Sequence, residues 1–169
     1  MRIVVFGDSF TAGSGVDDDQ VWVKRLEIEL KQAGIRASVL NFGVGRYGMG
    51  QAYLHWQELG RDYNPDLVLI AFQPENLDRN VNVFRPLYYK RVDVPFSKPR
   101  FVLQDDRLAL YNVPTLPPAE LKNVYSSFAS HPLAAYEAHY ESHEFVSQWW
   151  AARHSLSRQQ IQSLWTNAK

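Results

Sequence analysis

The chain contains no cysteine among its 169 residues. Disulfides, thiolate nucleophiles and cysteine-based metal sites are thereby excluded. Neither charge is in excess: 18 Lys plus Arg stand against 18 Asp plus Glu, a formal net charge of zero. The long-range field that draws proteins to nucleic acid or anionic membrane is missing, so no nucleic-acid partner is expected. Long apolar runs are also missing. The first, "IVVF" at Ile3–Phe6, is far too short for a bilayer span or a secretory h-region. No integral membrane segment is expected, and the default compartment is the cytoplasm. There is no internal repeat and no low-complexity segment. Aromatics are not scarce, with five Trp and nine Tyr, and the length suffices for one domain with a sizeable core.

What is present begins with layered order. "IVVF" is continuous, apolar and mostly β-branched, the pattern of a strand buried on both faces. Residues 20–33 carry Trp22, Leu26, Leu30 and Ala33 at helical spacing, with Glu27 and Lys31 one turn apart and Gly34 as a stop. "RASVLNF" reads as a second strand. Residues 49–63 read as a second helix with Ala52, Trp56, Leu59 and Tyr63 on one side, and "LVLIAF" (Leu67–Phe72) as a third buried strand. A β-α-β-α-β order with short crossovers gives a parallel sheet covered by helices. The expected class is α/β: a flavodoxin-like, doubly wound sheet in three layers, opening at one rim where ligands bind.

The rhythm then fails. Residues 73–100 are polar, aromatic and proline-punctuated, and "RFVLQDDRLALYNVP" reads as a hairpin turning at Asp105–Asp106. The tail reads as helical, with Ser157 and Gln160 as a capping box. No later run resembles "LVLIAF", so the sheet is expected to be incomplete. A sheet edge would then be open to self-association or to a partner chain. The expected organisation is one domain over 1–169: a core over 1–76, an insertion over about 77–118 and a helical tail over about 121–169.

Three loops follow the three strands. "GDSFTAGSG" sets Asp8 and Ser9 at the tip of the first strand. A serine there is a candidate nucleophile, a phosphate or flavin-phosphate clamp, or a turn residue; as a nucleophile it needs a base. Asp8 is better placed to hydrogen-bond the loop than to be that base. "NFGVGRYGMGQ" contains G-x-G-x-x-G at Gly43, Gly45 and Gly48, but after the wrong strand for a dinucleotide fingerprint. It reads as a tight turn presenting N–H groups. "QPENLDRN" brings Asn76 close behind the third strand; Arg79, Asn80 and Arg85 are polar loop residues with no assigned role.

Together, "GDSFTAG", "NFGVGRYGMGQ" and "PDLVLIAFQPEN" resemble the SGNH, or GDSL-type, hydrolase superfamily. The order and spacing of the three blocks carry the resemblance, which is strong over residues 2–80. It extends more loosely through "NVFRPLYYKR" and "KPRFVLQDDRLALYNVP", an insertion of the kind seen in larger members. It implies a serine ester hydrolase of the esterase, lipase or acyl-ester deacetylase type. Ser9 would be the nucleophile, a backbone N–H at Gly45 or Arg46 and the Asn76 side chain oxyanion donors, a small-molecule ester the substrate, and no metal or cofactor is implied. Two departures stand out. Arg46 occupies the position of the family's oxyanion glycine, and the late Asp-x-x-His block is missing. Among the histidines, His131 precedes Pro132 as the family base often does, but Phe128 stands where the aspartate belongs. His131 is the candidate base, ahead of His154. His55 lies in the second helix, and His139 with His143 read as surface residues rather than zinc ligands. Two readings compete with the esterase: a non-catalytic or truncated remnant, and a flavodoxin-like phosphate or flavin binder.

Overall fold

The computed structural model describes residues 1–89, 96–126 and 130–139. The chain divides into two compact units, Met1–Asn80 and Val81–Lys169.

The first unit is built on β1 (Arg2–Gly7), β2 (Ser38–Gly43) and β3 (Leu67–Ile70). All three are parallel, in the order β2-β1-β3, with Phe6 opposite Phe42 on one side and Ile70 on the other. Being central, β1 buries Ile3 through Gly7 entirely. Its side chains alternate between two cores. Ile3 and Val5 join Val21, Val23 and Leu30 beneath α2 (Trp22–Gln32). Val4 and Phe6 join Ala52 and Trp56 beneath α3 (Met49–Glu58). Helices on both faces of a parallel sheet make three α/β/α layers, the class expected from the run of apolar strands.

Several local expectations need correction. In α2 the sealed residue is Val23 at 1% exposure, whereas Trp22 is 39% exposed and lies on the rim side. Glu27 pairs with Lys24 at 2.6 Å rather than with Lys31, and its other oxygen accepts the Val39 N–H, tying helix to strand. Gly34 does end the helix: it takes φ +77°, and the Ile35 N–H donates back to Leu30 O at 2.8 Å. The second helix stops at Glu58, not Tyr63. A 3-10 turn, Gly60–Tyr63, follows and leaves Leu59 and Tyr63 exposed. Gly60 is required there, since a Cβ would press on Phe6 and Trp56.

In the second unit, α5 (Arg85–Tyr88) and α6 (Pro118–Ser126) flank a hairpin, β4 (Arg100–Gln104) and β5 (Arg107–Tyr111). The hairpin turns at Asp105 and Asp106, with φ +47° and +58°, where the sequence placed it. Val83, Phe84, Leu87, Leu121 and Val124 form the core of this unit. Among the described tail residues, 3-10 helix Pro132–Tyr136 follows α6; the Ser157–Gln160 box, His143 and His154 lie outside the described residues. No helix among the described residues is long and apolar enough to cross a membrane.

Candidate active site

Asp8 organises the rim of the first unit. As N-cap of the short α1 (Ser9–Ala12) it accepts the Phe10 N–H through Oδ1 at 3.0 Å. Its Oδ2 accepts from Gln73 Nε2 at 2.6 Å, Asn76 Nδ2 at 3.1 Å and an Arg79 guanidinium nitrogen at 2.9 Å. Gln73 follows β3, while Asn76 and Arg79 lie on α4 (Glu75–Val81). Asp8, Asn76 and Arg79 are each under 5% exposed. Burial pushes the Asp8 carboxyl up, but the Phe10 N–H, the Gln73 and Asn76 amides and the Arg79 charge outweigh it and hold it below its ordinary value.

The second loop is tied into the same network. Tyr47 O accepts from Arg79 at 3.2 Å and from Asn76 Nδ2 at 3.4 Å. Two glycines permit the approach. A Cβ on Gly43 would lie 2.6 Å from the Thr11 carbonyl carbon, so only glycine lets α1 settle on the end of β2. A Cβ on Gly48 would lie 2.7 Å from Asn80 Oδ1 and 3.1 Å from Arg79 Cβ. The three loops expected to share a rim therefore do, through a buried Asp8–Arg79 ion pair that sequence reasoning left without a role. The one local signal for it is the Glu75–Arg79 spacing, which forms an i,i+4 pair at 3.0 Å.

Ser9 is the first residue of α1 and half-buried. Gly45 is its neighbour from the second loop: a Cβ built there would stand 3.9 Å from Ser9 Cβ. Among the described residues, no hydrogen bond reaches the Ser9 hydroxyl, and the N–H groups of Ser9 and Gly45 donate to no acceptor. Arg46 is exposed and sits at φ +68°, in the left-handed region where glycine is strain-free. Asn76 Nδ2 is already directed at Asp8 and Tyr47 O, and its Oδ1 accepts the Gln73 N–H at 3.0 Å.

His55 and His131 are each held by contacts within their own unit. His55, the only one in Met1–Asn80, sets its ring edge-on to Phe6 and Phe42 at 5.6 Å and to Tyr47 at 6.1 Å. His131 belongs to the second unit, where its Nδ1 caps a 3-10 helix by accepting the Leu133 N–H at 3.2 Å. Its ring meets Phe84 edge-on at 5.9 Å. Among the described residues, no cluster of three His, Asp or Glu side chains could hold a metal.

No protein-family model matches this chain, and neither does any curated protein. Among solved structures it is similar to TesA, at 17% identity and a TM-score of 0.42 over 93% of this chain and 76% of that one. It is similar to AlinE4, an SGNH-hydrolase family esterase, at 18% identity and a TM-score of 0.37 over 92% of this chain and 73% of that one. A mutant of the same esterase matches with 18% identity and a TM-score of 0.37, covering 89% and 72%. The geometry of the rim stands without these likenesses. By its parallel β2-β1-β3 order and its helices on both faces, the Met1–Asn80 unit has a three-layer α/β/α fold.

Proposed function

We propose that this chain is a serine ester hydrolase acting by acyl transfer to Ser9. Ser9 Oγ adds to the ester carbonyl, the alcohol leaves with the serine proton, and water then releases the acid and restores the hydroxyl. The observation that carries the reading is the juxtaposition of Ser9 with Gly45. It brings together two residues whose N–H groups have no acceptor among the described residues, at the rim of a parallel sheet whose central strand is buried. Those N–H groups, with that of Arg46, are the backbone donors for the developing oxyanion. Asn76 is the side-chain donor, turning to it the hydrogen it now directs at Tyr47 O over 3.4 Å.

The base is the demanding element. Asp8 is a poor one, since its donors hold it as an anion of lowered basicity. His131 keeps the role of candidate base, with Nε2 as the proton acceptor because Nδ1 is engaged by Leu133. Hydrolysis of p-nitrophenyl acetate tests both parts. Ser9→Ala should fall to the rate of buffer alone, and equality with wild type would remove Ser9 from the chemistry. His131→Ala should lose roughly a hundredfold or more if its imidazole is the base. An unchanged rate would clear it of that role.

A second reading, a non-catalytic remnant, is favoured by one observation. The carboxylate next to Ser9 pairs with Arg79, not with an imidazole. Labelling of Ser9 by a fluorophosphonate, at a rate well above that of free serine, would count against it.

A further inference from the structure

Beside Ser9, between the carboxyl ends of β1 and β3, lies a cleft of about 310 Å³. Three aromatic side chains line it, Phe10, Trp22 and Phe72, together with Ala71 and the hydrogen-bonded Asp8–Gln73 pair. All of these residues belong to the first unit. We propose that this cleft is a subsite for the apolar arm of the substrate, sized for a short unbranched chain or a single ring.

Three observations lead there. The aromatics are held against water: Phe10 is 72% exposed, Phe72 55% and Trp22 39%. Covering such surface is favourable in proportion to its area. Most of the polar lining is already engaged within the protein, and Thr11, the remaining polar side chain, is sealed from water. Asp8 Oδ1 is occupied by the Phe10 N–H and Oδ2 by three further donors, and Gln73 Nε2 is already spent on Asp8. An anionic ligand would also meet the Asp8 carboxylate. Recognition there is by apolar contact, and the charge argues for a neutral arm. Finally, Asp8 and Phe10 flank Ser9 in the chain. An ester whose carbonyl lies at Ser9 can therefore pass one arm over Phe10 into the cleft while its reacting oxygen faces the Gly45 side. The volume lies at the low end of small-molecule pockets, roughly 300–1,000 Å³, and matches a short chain.

This substrate role rests on the acyl-transfer reading, but the cleft can be tested without it. The first measurement is binding of 1-hexanol, a neutral and unreactive probe, to the Ser9→Ala protein by saturation-transfer NMR. The dissociation constant should rise by roughly fivefold or more when Phe72→Ala or Phe10→Ala is added, the loss expected for one aromatic wall. Leu108→Ala, an exposed position in β5, should bind like the parent. The second measurement is kcat/KM for wild type on p-nitrophenyl acetate, butyrate and hexanoate, and on acetates of methanol, butanol and hexanol. One of the two series should climb about fourfold per methylene and then level off, which identifies the arm that enters. The hexyl-to-methyl ratio in that series should collapse in Phe72→Ala. Hexanol binding indifferent to Phe10 and Phe72 overturns the subsite, as does a wild type that turns over every chain length equally. Binding that depends on both residues, with no Ser9-dependent hydrolysis, keeps the subsite and removes the acyl-transfer reading instead.

Discussion

Among the described residues, each of the two units contains one carboxylate sealed from water, and the two are used differently. Asp8 is 4% exposed and Glu137 5%. Asp8 takes one backbone N–H and three side-chain donors that reach it from the third loop. Glu137 instead takes mainly backbone donors: Oε2 accepts the Val83 and Phe84 N–H groups at 2.6 and 2.8 Å and Oε1 the His139 N–H, while the Asn82 side-chain Nδ2 donates to Oε2 at 3.0 Å. In the first unit β2 and β3 already satisfy the backbone of β1, the strand that Asp8 follows. Its buried acid is left to position side chains around a rim. Around Val83 and Phe84 a side chain supplies acceptors that a neighbouring strand would otherwise provide. A buried acid can thus gather side chains where strand pairing already satisfies the backbone, and replaces a neighbouring strand where it does not.

The largest effect should come from removing charge at these two points. Asp8→Asn leaves the buried Arg79 guanidinium with only the part-exposed Glu75 as its anion and should cost about 3 kcal/mol. Glu137→Gln keeps an acceptor oxygen for the two N–H groups and should cost about 1–2 kcal/mol. Urea unfolding of both variants at pH 8.5 measures the difference, and equal losses would break the comparison.

The pH dependence sharpens it. The Asp8 carboxyl is lowered in the folded state, so its stabilisation is present above the ordinary value of 3.8 and is lost as pH falls through the folded value. Lys98 of the second unit behaves in the opposite way. It is 5% exposed, and burial, reinforced by Arg85 and opposed by Glu137, pushes its ammonium down from 10.5 to about 7. The unfolded chain therefore binds more protons between those values, and stability rises as pH climbs from about 7 toward 10.5. Lys98→Met should flatten the alkaline rise and leave the acid limb, and Asp8→Asn the reverse. Unfolding free energies across pH 2–10 for both variants are the check.

The smallest effect concerns Arg46. Its φ of +68° carries strain that glycine relieves, against the greater entropy glycine has when unfolded. Arg46→Gly should stabilise by about 0.5 kcal/mol, a shift of one or two degrees in thermal midpoint.

The parts of the fold legible in the sequence are those fixed over a few residues. A β-branched run such as Ile3–Phe6 has one good use, a strand buried on both faces, and the sheet puts it in the centre. Asp105 and Asp106 tolerate the left-handed backbone a two-residue hairpin needs. The three rim loops were equally legible, because glycine and Asx residues at strand ends leave a local signature. Partner choice was not. Glu27 had lysines at two allowed spacings, and the strand beyond the helix helped to decide between them. Trp22 stood at a helical spacing that suited burial, yet Val23 took the core.

By itself, then, the sequence determined the three parallel strands, their helices, the hairpin and the place of Ser9 at a strand tip, since backbone preference and apolar period act between near neighbours. Only the tertiary structure decided that Arg79 would neutralise Asp8 from 71 residues away, and that Glu137 would reach Val83 across 54. A buried charge chooses its partner by the cost of remaining unpaired away from water, and that cost exists only once the chain has closed around it.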